Sequence, residues 1–368
     1  MGCGGIKINP NISECTKPLV GIGPMSKNCV DAIYQYSHDK SKPILLIASR
    51  RQIDTSKLRH GYVNNWSTEE FSIYLNLLRY KFPSNQVVVC RDHGGPWQGG
   101  EWEKSLSLER AMENALTSYY ADIDSGFDLL HLDPSIDASG DITLDEITNR
   151  LKELFIKCHA YSVKKGRNIL YEIGTEETNG KTTDPKNFEL FLKSILHFCE
   201  ENKLPKPTFV VAQTQSLVKE MRQVGNFNIS NTPELLRICN KYQVLMKEHN
   251  ADYLSDYQLS LRKKFGVHAF NVAPEFGVIE SKAFLDFCWK EKRSDLIARF
   301  IDLSLKSNKW GKWIVDKDYV SEYDKALIAG HYIFATTEFK EMLSTLDAER
   351  LNAIIREKIY RRIDFYCT

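Results

Sequence analysis

The sequence predicts an α/β protein built on a (β/α)8 TIM barrel with a helical C-terminal extension. Eight short apolar runs each end in polar or turn residues, and the stretches between them are long enough for at least one helix. Alternating strands and helices imply parallel strands joined by right-handed crossovers. Eight such units imply a closed barrel of roughly 250 residues, and the eighth run ends close to that length. An open doubly wound sheet is the alternative, but no GxGxxG or Walker motif supports it.

The eight predicted strands and their polar ends are read directly from the chain. They are PLVGIGPMS (18–26), ILLIASRRQ (44–52), VVVCRDHGG (87–95), DLLHLDPS (128–135), ILYEIGTEE (169–177), FVVAQTQS (209–216), VLMKEHNADY (244–253) and HAFNVAPEFG (268–277). Between the second and third lies a predicted helix, 66–82, in which Ser67 and Glu70 form a capping box.

The C-terminal quarter of the chain is helical in pattern. We predict two parts, a barrel over 1–285 and a second region over 286–368 that holds the last barrel helix and a helical extension.

Composition excludes several classes of function. The chain has 368 residues, 42% of them hydrophobic, and a net charge of +1, so nothing favours nucleic acid or an anionic membrane as a partner. Nine cysteines are scattered without CxxC pairs, as in reduced cytosolic proteins. No apolar run has membrane-spanning length, and the N-terminus lacks the apolar core of a signal peptide. We therefore expect a cytoplasmic protein.

The polar residues at the strand ends define a candidate site, because barrel enzymes place their chemistry at the C-terminal ends of the strands. This set consists of Ser49, Arg50, Arg51, Asp92, His93, Asp133, Ser135, Glu172, Glu176, Glu177, Gln213, Glu248, His249, Asp252, Asn271 and Glu275. Two histidines and several carboxylates on separate strands suit a borderline divalent metal, with Zn²⁺ favoured and Mn²⁺ or Co²⁺ as alternatives.

The histidines divide by their position along the predicted strands. His93 and His249 directly follow apolar strands, so we predict that both are metal ligands. His131 lies inside the HLD run and is interpreted as a packing residue. Glu172 also lies inside a strand, where an unpaired charge would be costly, so we expect it to have a partner.

Two adjacent arginines, Arg50 and Arg51, follow the second strand. Ion-paired rim residues would explain them, and so would a clamp for a phosphate or carboxylate, because guanidinium binds such groups bidentately.

These runs, taken in order, resemble a known family. ILLIASRRQID with GYVNNWSTEEF, VVVCRDHGGPWQ, DLLHLDPS, EIGTEE and KEHNADY resemble the class II D-tagatose-bisphosphate aldolase non-catalytic subunit family, whose fold is that of the metal-dependent class II aldolases. The resemblance implies that Asp92 is a catalytic acid, that His93 and His249 are metal ligands, and that Glu172 or Glu176 approaches the metal. Some members are C4 epimerases of ketose phosphates or related keto-sugar acids.

The chain departs from the class II aldolases in three places. The histidine expected after the sixth strand is replaced by the run that contains Gln213. The glycine- and serine-rich phosphate loops expected after the last two strands read HNADY and NVAPEFG. Arg50 and Arg51 replace uncharged residues, which implies that recognition of the substrate's anionic group has moved.

The hypothesis that combines these features is that the protein is a metal-dependent enzyme acting on a ketose phosphate or related anionic sugar. Its reaction would be C4 epimerisation by retro-aldol and aldol steps. Asp92 would move the proton of the C4 oxygen, with Glu176 and Glu177 sharing the acid–base work. The remaining members assigned to substrate binding are Ser49, Arg50, Arg51, Asp133, Gln213, Asp252, Asn271 and Glu275.

Three alternatives remain beside this reading. One is a sugar-phosphate aldolase using the same residues, and another is a non-catalytic subunit that stabilises a tagatose-bisphosphate aldolase. If the protein is such a subunit or an oligomer, its partner would be that aldolase chain or another copy of this chain. A sugar-phosphate kinase is disfavoured, because no nucleotide-phosphate loop is visible.

Overall fold

The structure is a computed structural model that describes residues 18–140, 142–174, 182–316 and 319–368. Eight parallel strands form a closed barrel in the order β1-β10-β9-β6-β5-β4-β3-β2, and β7 and β8 form a separate antiparallel hairpin. The strands are β1 Leu19–Ile22, β2 Pro43–Ser49, β3 Gln86–Gly94, β4 Leu129–Leu132, β5 Leu170–Ile173, β6 Phe209–Val211, β7 Val218–Lys219, β8 Arg222–Gln223, β9 Leu245–Glu248 and β10 Ala269–Val272. The predicted (β/α)8 barrel is confirmed, and each of its strands coincides with one of the eight apolar runs.

Helices surround the barrel and continue beyond its last strand. They are α1 Lys27–Lys40, α2 Thr68–Lys81, α3 Leu108–Ser125, α4 Leu144–Lys164, α5 Pro185–Glu201, α6 Thr232–Tyr242, α7 Asp256–Phe265, α8 Pro274–Lys290, α9 Ser294–Lys306, α10 Glu322–Ala329, α11 Thr337–Ser344 and α12 Ala348–Cys367. The predicted capping box is present at the start of α2, where Ser67 and Glu70 bond each other's backbone N–H groups. Among the described residues, no helix is both long enough and apolar enough to cross a membrane.

The interior of the barrel is a small apolar cluster to which all eight strands contribute. Its members are Leu19, Leu45, Ile47, Val88, Cys90, Leu129, Phe209 and Ala269, with the partly buried Leu170 and Leu245 packed against them. Because side chains alternate along a strand, the residue two positions further on also points inward, one layer closer to the C-terminal rim. The fold thereby directs one polar layer into the mouth of the barrel.

The strand residues between these inward-facing positions point outward and bond the barrel wall to the surrounding helices and loops. Arg91 lies between the inward-facing Cys90 and Asp92, and its guanidinium binds Asp122 on α3 at 2.7 and 2.5 Å. It also donates to the carbonyl of Ile53 at 2.7 Å. Arg91 is therefore a wall residue.

The C-terminal extension packs against the barrel through α8 and α12. Residue 285, where the sequence predicts the end of the barrel region, falls inside α8, the helix that follows the last barrel strand. The division into two regions stays a prediction. The extension also reaches the loops at the C-terminal rim, since Trp313 O accepts from Glu220 N at 2.6 Å and the Tyr332 ring lies 4.8 Å from that of Tyr62.

Candidate active site

Three histidines from three strands meet at the mouth of the barrel. The His93 ring centroid lies 4.8 Å from that of His249 and 5.3 Å from that of His131, and the other two are 5.4 Å apart. His131 lies on β4, whereas His93 is near the end of β3 and His249 directly follows β9. Their ring nitrogens face a common volume.

His93 reaches this volume through an irregular backbone. The pairing of β3 with β4 shifts register between Arg91 and Gly94, and His93 has a left-handed φ of 43°. Such a conformation costs a non-glycine residue about 1–3 kcal/mol and is typical of functional sites. The irregularity directs the His93 side chain so that Nδ1 donates to Asp133 Oδ2 at 2.6 Å.

Protonation of the histidine pair follows from its neighbours. Burial alone would lower the pKa of His93, but Asp92 and the hydrogen-bonded Asp133 raise that pKa to about 9. Burial lowers the pKa of His249. A charged His93 therefore donates from Nε2 to His249 Nδ1 at 3.1 Å, while His249 Nε2 donates to Glu172 Oε1 at 3.1 Å.

Glu172 is fully buried in the barrel interior and has the partner expected for it. Its Oε2 accepts from Lys247 Nζ at 2.6 Å, and both side chains are at most 1% exposed. Burial alone would raise the pKa of Glu172, but Lys247 and the histidines lower it to about 2. The carboxylate is thus ionised, with one oxygen on Lys247 and the other toward His131 and His249.

Asp92 faces the same volume from β3. Its Oδ1 accepts from Asn271 Nδ2 at 3.2 Å and lies 3.9 Å from His131 Nδ1. Burial opposes ionisation, but His93 and the other nearby cationic groups hold the pKa of Asp92 well below its usual range. Asp92 is therefore a carboxylate.

The donor set fits a divalent cation. Ligating atoms of Asp92, His131, Glu172 and His249 all lie within 4.8 Å of one another, and those of His93, His131 and Asp133 form an overlapping group. His131 Nε2 is buried without a hydrogen-bond partner among the described residues. Imidazole and carboxylate ligands are the set that Zn²⁺ and Mn²⁺ take in proteins, and a buried ring nitrogen left without a bond is what a missing ligand partner would leave.

The structure separates the two predicted arginines. Arg50 is fully buried, and its guanidinium binds Asp54 at 3.1 Å, Gly95 O at 2.9 Å and Glu103 at 2.7 Å. This geometry favours the ion-paired alternative for Arg50, because its donors already hold the loops that follow β2 and β3, and its role as a substrate clamp stays a prediction. The Arg51 side chain is exposed and makes no hydrogen bond or ion pair with the described residues.

Two predicted substrate contacts, Asp252 and Glu275, are hydrogen-bonded to protein groups. Asp252 Oδ1 accepts from the backbone N–H of Ala273 and of Glu275 at 2.9 and 3.0 Å, so Asp252 fixes the start of α8. Glu275 accepts from Tyr253 N and from two side chains of α12. Glu275 is bonded to protein groups through both oxygens and Asp252 through Oδ1, and their roles in substrate binding stay predictions.

The remaining predicted residues that the structure describes lie at or beside the mouth, and their roles stay predictions. Ser49 is paired in register with Asp92 and donates to Gln52 Oε1 at 3.1 Å. Gln213 is buried, and its backbone N–H donates to Thr183 at 2.8 Å. Glu176 and Glu177 lie outside the described residues.

Two residues of this cluster are not among the site residues predicted from the sequence. His131 is interpreted there as a packing residue, and Lys247 is not singled out. Strand alternation was the signal that could have found both, because His131 follows the inward-facing Leu129 by two positions and Lys247 follows Leu245 by two. His131 is also the register partner of Glu172 across β4 and β5.

Comparison with known proteins finds a family match over part of the chain. Residues 19–188 match the model of the D-tagatose-1,6-bisphosphate aldolase subunit GatZ/KbaZ-like family. The family resemblance inferred from the sequence is confirmed over this segment, which carries β1 to β5 and thus Asp92, His93, His131 and Glu172. No curated protein matches the chain significantly.

Solved structures share the fold at low sequence identity. A probable tagatose 6 phosphate kinase from Sinorhizobium meliloti 1021 is 17% identical, with a TM-score of 0.76 over 95% of this chain and 99% of its own. The fructuronate-tagaturonate epimerase UxaE from Cohnella laeviribosi is 11% identical, with a TM-score of 0.58 over 95% of this chain and 81% of its own. The fructose-bisphosphate aldolase from Campylobacter jejuni is also 11% identical, with a TM-score of 0.56 over 96% and 89%. At sequence identities this low, the structural likeness shows the barrel fold alone.

Proposed function

We propose that the protein is a metal-dependent enzyme that acts on a ketose phosphate or a related anionic sugar and inverts its C4 centre by retro-aldol cleavage and re-addition. The observation that carries this proposal is the convergence of three histidines with Asp92 and Glu172 at the barrel mouth. The family match supports aldolase-type chemistry, and the fold is shared with an aldolase and with a sugar-acid epimerase.

The metal would be held by the histidines and the buried carboxylate. His93, His131, His249 and Glu172 are the proposed ligands, with Zn²⁺ favoured over Mn²⁺ or Co²⁺. His93 would bind the metal only in its neutral form, because metal binding requires a deprotonated ligand nitrogen and releases the proton. When bound, the cation supplies a Lewis acid that polarises the C2 carbonyl and its neighbouring hydroxyl. Lys247 holds the distal oxygen of Glu172 and so orients the proximal oxygen toward the histidines.

Asp92 is the proposed acid–base residue. It is ionised and held in place by Asn271, so it can accept the proton of the C4 hydroxyl as the C3–C4 bond breaks. The electrons of that bond stay on the C1–C3 fragment, and the other fragment leaves as an aldehyde. After rotation, C3 attacks the opposite face of the aldehyde, and Asp92 returns the proton to the C4 oxygen. Release of the aldehyde before re-addition would make the same site an aldolase.

The first test is metal content. We expect about one Zn²⁺, Mn²⁺ or Co²⁺ per chain, lost in His93→Ala because the variant removes one ligand and the charged neighbour of Asp92. Elemental analysis after loading and dialysis, followed by a ketose-phosphate epimerisation screen, provides the measurement. His197→Ala, on the exposed face of α5, is the matched control. A wild-type chain that remains metal-free after loading would exclude the proposal.

Arg51 is the proposed contact for the substrate's anionic group, because it is the exposed member of the arginine pair. Arg51→Gln is expected to raise KM for a phosphorylated or acidic sugar by about 10-fold or more with little change in kcat, since a charge-assisted hydrogen bond contributes about 1.5–3 kcal/mol. Arg110→Gln, at an exposed pair on α3, is the control. Equal KM values for wild type and Arg51→Gln would assign anion binding elsewhere.

A second candidate function, a stabilising subunit, is favoured by one surface. On α2, Ile73, Leu77 and Tyr80 are 65%, 63% and 90% exposed and share one helix face. An apolar face of this kind suits a contact with another chain, either an aldolase or a second copy. Light scattering of the purified chain, compared with Leu77→Glu, tests self-association. A metal-free monomer that raises the activity of an added tagatose-bisphosphate aldolase would favour this second function.

A further inference from the structure

The loop that follows His249 is held by the C-terminal helix of the chain. Residues 249–254 leave β9 and cross the rim of the barrel before α7 begins. On one side this loop is tied to the last strand, since Ala251 N donates to Asn271 O at 2.9 Å. On the other side it meets α12, whose final residue lies next to the chain's C-terminus.

Glu275 connects the loop to that helix. Its Oε2 accepts from Tyr253 N at 2.7 Å and from the hydroxyl of Tyr366 at 2.5 Å. Its Oε1 accepts from Arg362 Nε at 2.6 Å. One buried carboxylate therefore joins the backbone of the His249 loop to two side chains on one face of α12.

The same two side chains also approach the loop directly. Arg362 donates from its second terminal nitrogen to Leu254 O at 3.2 Å and to the Tyr366 hydroxyl at 3.1 Å. The Tyr366 hydroxyl lies 3.2 Å from Ala251 O. The Leu254 carbonyl is thus bonded directly by α12 and the Tyr253 amide through Glu275, while the Tyr366 hydroxyl lies beside the Ala251 carbonyl.

The charges at this junction depend on Arg362. Asp252 and Glu275 are both buried carboxyls, and burial together with Glu275 raises the pKa of Asp252 to about 7. Arg362 is the cation bonded to Glu275. Without that guanidinium the two carboxyls would repel each other at the base of the loop unless one of them took up a proton, the loop moved or water entered.

We propose that Arg362 and Tyr366 are positioning residues that set the location of His249, so that the extreme C-terminal helix controls the geometry of the metal site. This inference rests on the proposed function in treating His249 as a metal ligand. Supporting side chains of this kind hold ligands in place, and their loss typically weakens metal binding 10–100-fold. The C-terminal extension is thereby part of the site and not only a cover for the barrel wall.

The test compares variants on neighbouring positions of α12. Arg362→Gln and Tyr366→Phe are expected to weaken Zn²⁺ binding by about 10-fold, measured by competition with a chromophoric chelator, and Arg362→Lys is expected to restore part of the affinity. Arg361→Gln is the matched control, because Arg361 is the next residue and pairs only with the exposed Glu357. Ile363→Val is the control for helix stability, because its side chain is fully buried and, being apolar, makes no hydrogen bond to the loop.

Hydrogen–deuterium exchange of residues 249–254 in the metal-free protein provides a second measurement. Exchange is expected to increase in Arg362→Gln and Tyr366→Phe and to match wild type in Arg361→Gln and Ile363→Val. Wild-type exchange and wild-type Zn²⁺ affinity in Arg362→Gln would overturn the inference. If the wild-type protein does not bind Zn²⁺, the proposed function is overturned instead. In that case, unchanged hydrogen–deuterium exchange of residues 249–254 in the variants would overturn the positioning role as well.

Discussion

Replacing Lys247 with Met is expected to destabilise the protein by about 3–5 kcal/mol, because the change leaves Glu172 as a buried carboxylate without its cation. The two side chains are bonded at 2.6 Å and are almost completely inaccessible to solvent. Water cannot take the place of the ammonium without entering the barrel interior. We therefore expect a large decrease in the free energy of unfolding, measured by urea denaturation in the presence of a chelator.

A double variant separates this electrostatic effect from a loss of packing. Lys247→Met combined with Glu172→Gln removes both charges, and we expect it to be more stable than Lys247→Met alone. The control is Lys241→Met, whose partner Glu189 lies on the surface and whose loss should cost no more than about 1 kcal/mol. If both lysine variants lost similar stability, Lys247 would have no special role in the barrel interior.

Lys247→Met is also expected to weaken metal binding, for a reason different from stability. Lys247 occupies one oxygen of Glu172 and leaves the other facing His131 and His249. Without the lysine the carboxylate can rotate or take up a proton, and either change removes an oriented ligand. Zinc titration at a temperature where the variant remains folded provides the measurement.

Stability is expected to decrease as pH rises from about 4.5 to about 7, and Glu280 is a main cause. Burial raises the pKa of Glu280 from 4.5 to about 7, against hydrogen bonds from Ser26 and Asn28 that lower it. The unfolded chain therefore loses this proton at lower pH than the folded chain. Through this interval the folded state binds more protons, so rising pH favours unfolding by up to about 3 kcal/mol at 1.36 kcal/mol per pKa unit.

Glu280→Gln is expected to remove this dependence. The amide remains neutral at every pH, can accept from Asn28 and can donate to Ser26, so the variant should be more stable than wild type at pH 8 and similar at pH 4.5. Asp252 also titrates near 7, and for this reason the measured quantity is the difference between wild type and variant at each pH. Glu357→Gln, on the exposed face of α12, is the control. Parallel pH curves for wild type and Glu280→Gln would contradict the prediction.

The barrel itself could be predicted from the chain because its signal is local. Each strand is an apolar run that ends in polar residues, and eight repeats leave few arrangements other than a closed parallel barrel. The period-two alternation of side chains even specifies which strand residues face inward, which is enough to bring His131 and Glu172 into the same layer. The same alternation applied to the HLD run makes His131 an inward-facing residue two positions after Leu129, in contrast to its interpretation as a packing residue.

The uses of the rim residues depend on partners that are distant in sequence. Arg50 and Arg51 are adjacent and chemically identical, yet one is buried on Glu103 while the other faces solvent. Asp252 and Glu275 looked like site acids, but one fixes the start of α8 and the other binds α12, about 90 residues further along the chain.

Periodicity and turn chemistry are properties of short segments, so they suffice to predict the strands, their order along the chain and the polar layer in the mouth of the barrel. Which of those polar groups remain available for chemistry depends on the packing of distant segments against them. A buried charge must be matched by an opposite charge or by hydrogen-bond donors, and the chain supplies these from whichever element packs against it. Lys247 for Glu172 and Arg362 for Glu275 are two such matches, and no local sequence pattern specifies either pairing.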